Sequence, residues 1–186
     1  FCLSRGLGDV YKRQGLSSSG ILRAVPPGKY MEYYINEEVA HEEGRMIRSL
    51  CPYDGRYLLV GTMGGIYLFD TARKNYQAFH SGFGHLFCTD IKRDRDGAFW
   101  CSTRQGLYKI QGNRVERADQ TLLPGIPSET VRFSLPLSDG CILVCMDLKD
   151  LYLCQPKKGQ ALRLNEDFPE LNRSRAMSFA IEIKPG

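Results

Sequence analysis

The sequence has no block of like charges, no long apolar run and only three histidines among 186 residues. Its 25 Lys and Arg are interleaved with 21 Asp and Glu, leaving a net charge of +4. A nucleic-acid surface gathers its basic residues on one face or stripe, so no nucleic-acid partner is expected for this segment. No stretch approaches the roughly 18 apolar residues needed to cross a bilayer. The first residues also lack the apolar core and small-residue cleavage site of a signal peptide. His41, His80 and His85 are not spaced near the cysteines as zinc ligands would be, and no Cys-x-x-Cys pair occurs. No metal, cofactor or catalytic residue is therefore expected.

Seven cysteines are present. Apart from Cys2 they are Cys51, Cys88, Cys101, Cys141, Cys145 and Cys154, and most lie in apolar runs such as Phe99-Trp100-Cys101. They read as buried free thiols that act as small hydrophobes. Disulfides are the alternative in an oxidising compartment, and the sequence alone does not pair them. The opening stretch, Phe1 to Gln14, has no initiator Met and no pattern, and it resembles a translated sequencing-adapter leader. It is expected to stand outside the fold, which then occupies 15–186.

What the chain does contain is a repeat. Leu59-Val60-Gly61-Thr62-Met63-Gly64-Gly65-Ile66-Tyr67 aligns with Trp100-Cys101-Ser102-Thr103-Arg104-Gln105-Gly106-Leu107-Tyr108. A weaker third copy runs from Val144 to Leu153, with Met146 for the Thr and Asp150 for the Gly. Ahead of each copy stands an Asp-Gly pair between apolar runs: Asp54-Gly55, Asp96-Gly97 and Asp139-Gly140. That pair signals a hairpin, because Gly accepts the positive φ of a tight turn. A short fourth stretch follows each copy, as in Asn75 to Phe79, so each unit reads as four short strands. Runs such as Tyr57-Leu58-Leu59-Val60 are apolar on both faces, which implies sheets sandwiched between neighbouring sheets.

A period of about 41 to 45 residues with four strands per unit specifies an all-β fold, a partial β-propeller. The expected blades cover about 45–80, 86–118 and 129–165, with incomplete blades at 15–40 and 173–186. Within them Met177 to Ile183 reads as an opening strand, and Trp100 and Tyr108 are expected to fill the space between blades. Such an arc would expose apolar blade faces at both ends, an aggregation hazard.

The best copy, Asp94-Arg95-Asp96-Gly97-Ala98-Phe99-Trp100-Cys101-Ser102-Thr103-Arg104-Gln105-Gly106-Leu107-Tyr108, resembles the two-component regulator propeller repeat. The resemblance implies part of the periplasmic sensor region of a membrane-anchored hybrid two-component sensor histidine kinase, homodimeric as a whole protein. It implies an oligosaccharide ligand derived from a glycan, the remaining blades of the same propeller as partners, and a kinase lying outside this chain.

The ligand-facing loops of such a unit are those between second and third strands and those joining the fourth strand to the next blade. They carry His80, Phe83 and His85 in one connection and Arg104 and Gln105 in a turn. Aromatic faces and planar polar side chains suit the CH surfaces and hydroxyls of sugars. The competing readings are a free-standing propeller enzyme of the lactonase or lyase kind and a protein-interaction scaffold. An enzyme needs convergent acids, histidines or metal ligands, and no paired catalytic residues recur at matching places in the blades. A WD-type scaffold repeats Gly-His and Trp-Asp pairs in each blade, which these copies do not.

Overall fold

The computed structural model describes residues 12–15, 20–25, 30–35, 42–79, 83, 85–147, 150–173, 177 and 180–183. The chain divides into two compact units, Phe1–Cys88 and Thr89–Gly186. In the first unit, β1 (Lys12–Gly15), β2 (Ile21–Val25) and β3 (Tyr30–Tyr34) form a three-stranded antiparallel sheet. Beside it lies a four-stranded meander of β4 (Ile47–Pro52), β5 (Tyr57–Thr62), β6 (Gly65–Asp70) and β7 (Asn75–Ala78). The second sheet of this kind consists of β8 (Cys88–Arg93), β9 (Phe99–Thr103), β10 (Gly106–Gln111) and β11 (Arg114–Arg117). After one turn of helix, α1 (Ala118–Thr121), come β12 (Val131–Pro136), β13 (Ile142–Met146), β14 (Leu151–Gln155) and β15 (Gln160–Arg163).

Burial on both faces explains why the strands lack polar alternation. Every residue of β9 is buried, and so is all of β5 except Tyr57. In the first unit Ile21 packs with Ile47, Leu58, Val60, Phe69 and Tyr76 between the two sheets. The Tyr76 hydroxyl donates to the Tyr34 carbonyl at 3.1 Å, across 42 residues of sequence. The second unit repeats this pattern. Trp100 and Leu107 of one sheet meet Val131, Ile142, Val144, Met146 and Tyr152 of the next, with Leu123 and Ile126 of the connection closing the layer. Thr89 Oγ1 donates to the Val131 carbonyl at 2.7 Å, again 42 residues on, joining the first strands of the two sheets. A buried hydroxyl pair, Ser102 to Ser134 at 3.0 Å, joins the sheets a little further along.

Trp100 accordingly fills the space between sheets, 1% exposed. Tyr108 does not share that layer. It pairs with Cys101, one step out of register with the Trp100–Lys109 pair, and so stands on the sheet's other face. The indole N–H reaches Asp94 Oδ2 at 2.9 Å, while Asp94 Oδ1 accepts the Ala98 N–H at 2.8 Å. One carboxylate thus ties the β8–β9 turn to the ring packed between the sheets. This gives the first Asp of the Asp-x-Asp-Gly pattern a structural purpose.

The Asp-Gly turns follow two designs. Gly97 and Gly140 both have φ of 86°, the left-handed value a tight turn requires. Gly55 does not adopt it. That turn is wider, closed by Tyr53 N–H to the Tyr57 carbonyl at 3.0 Å and by Asp54 Oδ1, which accepts the N–H groups of Arg56 and Tyr57.

Nearby, Asp70 is fully buried and receives Arg56 Nη2 at 2.5 Å together with the N–H groups of Ala72 and Arg73. The hydrogen bonds from Arg56, ahead of those from the two backbone amides, hold its carboxyl well below the ordinary carboxylate range. A lowered folded-state pKa stabilises the fold above the unfolded value near 3.9, and that contribution fades as acid protonates the group. Asp70→Asn is therefore expected to lower the melting midpoint at pH 7. The gap from wild type should narrow steadily below about pH 4 in a pH series of melts.

At the chain's two ends the structure departs from the sequence reading. Lys12, Arg13 and Gln14, expected to stand outside the fold, pair with Ala24, Arg23 and Leu22 as part of β1. Met177 to Ile183 forms no strand among its described residues. Instead Met177 and Ala180 lie against Phe133, Cys145 and Leu151, with Leu164 and Leu171 beside them. The Glu182 carboxylate accepts the Ser138 N–H at 3.1 Å and its hydroxyl at 2.7 Å. This segment covers apolar surface of the last sheet that was expected to be bare, although Ile181 and Ile183 remain exposed.

Of the six described cysteines, five are buried and Cys141 is half-buried, all as free thiols. Burial pushes Cys145 up to about 11 and Cys154 up to about 12, which keeps both protonated and unreactive at neutral pH.

Candidate functional site

The turns from second to third strand share one construction. In the first unit Thr62 Oγ1 donates to the Gly65 carbonyl at 2.9 Å and accepts the Gly64 N–H at 3.1 Å. In the second unit Thr103 Oγ1 donates to the Gly106 carbonyl at 2.8 Å and accepts the Gln105 N–H at 3.0 Å. The repeated Thr is thus a turn brace, and the residues between Thr and Gly are left to face outward. Both Arg104 and Gln105 are exposed there.

The backbone of that turn is held twice more. Arg117 Nη2 donates to the Gln105 carbonyl at 2.5 Å, and Thr130 Oγ1 donates to the Arg104 carbonyl at 3.2 Å. Arg117 is itself fixed by the buried carboxylate of Asp119, with Nε 3.3 Å from each oxygen. Gly106 sits against this carboxylate: a Cβ there would come within 2.7 Å of Asp119 Oδ2, and its φ is 128°.

The third copy solves the same problem with different residues. Five residues, Met146 to Asp150, replace four, and the Met146 N–H bonds the Asp150 carbonyl at 2.8 Å. Arg163 occupies the register position of Arg117, opposite Tyr152 as Arg117 is opposite Tyr108. Its carboxylate partner has moved to the turn: Arg163 Nη2 meets Asp150 at 2.8 Å. The place of Asp119 is taken by neutral Asn165, whose Oδ1 accepts the Leu151 N–H at 2.8 Å. Where Gly is absent, then, the acid that would have crowded it is absent too.

A cleft of about 360 Å³ opens at this rim, lined by Arg104, Glu129, Thr130 and Asp147. Asp147 also holds Arg132 at 2.7 Å. Arg132 is the bulged residue of β12, between Val131 and Phe133, and Arg48 holds the same position in β4 between Ile47 and Ser49. Bulges at such rims re-aim a side chain out of the pleat. The cleft therefore offers one guanidinium group, two carboxylates and a hydroxyl on braced backbone, with the Arg132 guanidinium held beside it by Asp147, a donor and acceptor set suited to a polar ligand.

The sequence candidates are distributed as follows. Arg104 and Gln105 are together on the turn beside the cleft, and Arg104 lines it. His85 is exposed in the connection after β7, in the first unit. His80 lies outside the described residues. Phe83 corrects the expectation of a ligand-facing ring: it is 1% exposed, with its centroid 6.4 Å from that of Phe79, and a buried side chain offers no face to a sugar. Sequence reading missed Glu129, Thr130, Arg132 and Asp147. They could have been found by position, since the repeat sets 129 and 130 just before a first strand and 147 just after a second, on the rim that carries Arg104.

Four-stranded antiparallel meanders with two-sided burial, linked first strand to first strand at a 42-residue offset, define this chain as a partial β-propeller. Solved structures agree. The chain is similar to the extracellular domain of BT4673 from B. thetaiotaomicron, assigned as a hybrid two component system, with 20% identity over 87% of this chain and 21% of that one (TM-score 0.69). It is similar to the extracellular domain of BT3049 from the same organism, given the same assignment, with 16% identity over 80% of this chain and 19% of that one (TM-score 0.62). The WD40 propeller domain of Doa1 follows, with 15% identity over 87% and 52% (TM-score 0.60). The chain spans about a fifth of the length of the two extracellular domains. No protein-family model and no curated protein matches the sequence.

Proposed function

We propose that this chain is part of the ligand-sensing propeller of a hybrid two-component sensor, on the periplasmic side of a membrane-anchored, homodimeric parent. On this reading it binds an oligosaccharide released from a glycan, does no chemistry itself, and packs against the remaining blades of its propeller. The kinase lies outside the chain. The observation that carries the reading is the cleft of Arg104, Glu129, Thr130 and Asp147, set on braced turns in a fold shared with two such extracellular domains. Arg104 and Gln105 contact the ligand directly. His80 and His85, in the sequence between β7 and β8, are the further ligand-facing candidates. Binding signals only if the ligand has different affinities for two arrangements of the sensor.

The test is a thermal-shift screen of the purified chain against neutral and acidic oligosaccharides of plant and host glycans, with reducing-end release followed in the same samples. One glycan class should raise the melting midpoint, by the equivalent of about 2.7 kcal/mol at a hundredfold excess over Kd, with no release. Stabilisation by none of them, or turnover of any, would overturn the proposal.

A further inference from the structure

Thr130 stands where two neighbouring sheets meet at the cleft, and it is bonded to both. Its hydroxyl donates to the Arg104 carbonyl in the β9–β10 turn at 3.2 Å. Its carbonyl accepts the N–H of Asp147, at the start of the β13–β14 turn, at 3.0 Å. Arg104, Thr130 and Asp147 are three of the four residues that line the cleft.

The two bonds differ in kind. The carbonyl bond extends the β12–β13 ladder by one rung, and the same rung exists in the first unit, where the Met63 N–H bonds the Met46 carbonyl at 3.2 Å. It belongs to the blade. The hydroxyl bond has no such counterpart: the residues just before the first strands of the three four-stranded sheets are Met46, Phe87 and Thr130, and only Thr130 carries a hydroxyl. That bond serves this cleft rather than the blade.

We propose that Thr130 is a positioning residue that latches the Arg104 turn to the Asp147 turn, so that both walls of the cleft, though carried by different sheets, move as one. Resting on the sensor reading, this gives that reading a path: a ligand held by Arg104 acts on the neighbouring sheet through the Thr130 hydroxyl. Arg117 and Thr103 hold the turn to its own sheet, and the Ser102–Ser134 hydroxyl pair joins the adjoining strand to the next sheet.

The latch is tested without any ligand, so its failure is separate from failure of the sensor reading. Backbone amide exchange is measured by NMR at Gln105 and Asp147 in the wild type, Thr130→Val and Thr130→Ser. Thr130→Val keeps the shape and the backbone rung but removes the donor. The latch predicts exchange several-fold faster at both amides, an unchanged melting midpoint, and return to wild-type rates in Thr130→Ser. Faster exchange at Gln105 alone, unchanged exchange at both, or failure of Ser to restore the rates overturns it. A lower melting midpoint with faster exchange throughout the second unit also overturns it, since Thr130 would then be a structural residue and not a latch.

Discussion

Trp100→Ala should cost about 3–5 kcal/mol of unfolding free energy, the range for removing a large buried aromatic. Trp100 is among the largest fully buried side chains described, and with Leu107 it packs into the core that the second and third four-stranded sheets share. Lys109 lies over the ring, its Nζ 5.4 Å from the centroid, and loses its seat as well. Trp100→Phe is the informative companion. It keeps much of the apolar area but strips Asp94 Oδ2 of the indole N–H, so a loss of about 1–3 kcal/mol is expected from the gap and the broken bond together. Urea titration of both variants measures this. Midpoints should fall with the denaturant slope unchanged if the folded arc keeps its extent.

Gly106→Ala is the second large effect. The added methyl meets Asp119 Oδ2 at 2.7 Å and Arg117 Nη2 at 3.1 Å, with φ at 128°. Backbone strain and overpacking each cost about 1–3 kcal/mol in such settings. Gly112→Ala is the control: its φ is 57°, but nothing lies within 4 Å of the added Cβ. Only the left-handed backbone penalty of about 1–2 kcal/mol applies there. Gly106→Ala should therefore exceed Gly112→Ala clearly in the same titration. Equal losses would mean that Asp119 does not crowd the turn.

The contrast between the second and third sheets shows how far the sequence could be read. The Thr-x-x-Gly-aliphatic-Tyr pattern and the Asp-Gly turns mark a four-stranded unit because each residue does a local job: the Thr hydroxyl braces its own turn, and Gly97 and Gly140 take a positive φ. Local jobs leave local signatures. The third copy looked degraded, yet its missing Thr and Gly are answered by a longer turn and by an acid moved from position 119 to position 150 beside the same Arg. That exchange becomes visible only once strand register sets Arg117 and Arg163 in equivalent places.

The cleft was less legible still. Arg104 comes from a turn, Glu129 and Thr130 from a connection and Asp147 from another sheet, so no motif joins them. Phe83 misled because an aromatic in a polar loop has the composition of a sugar platform, while its burial beside Phe79 is decided by packing. The pairing of Lys12 to Gln14 with β2 shows the same limit, since backbone ladders can form with little help from side-chain pattern.

The most direct measurement is an isothermal titration of the chain with the oligosaccharide class that stabilises it, run on wild type, Arg104→Ala and Asp147→Ala. Neither side chain is buried in a core cluster, so both variants should fold. The account predicts saturable heat for wild type and at least tenfold weaker binding for each variant, about 1.4 kcal/mol. Binding of equal strength in all three proteins would contradict it and place the ligand elsewhere than in this cleft.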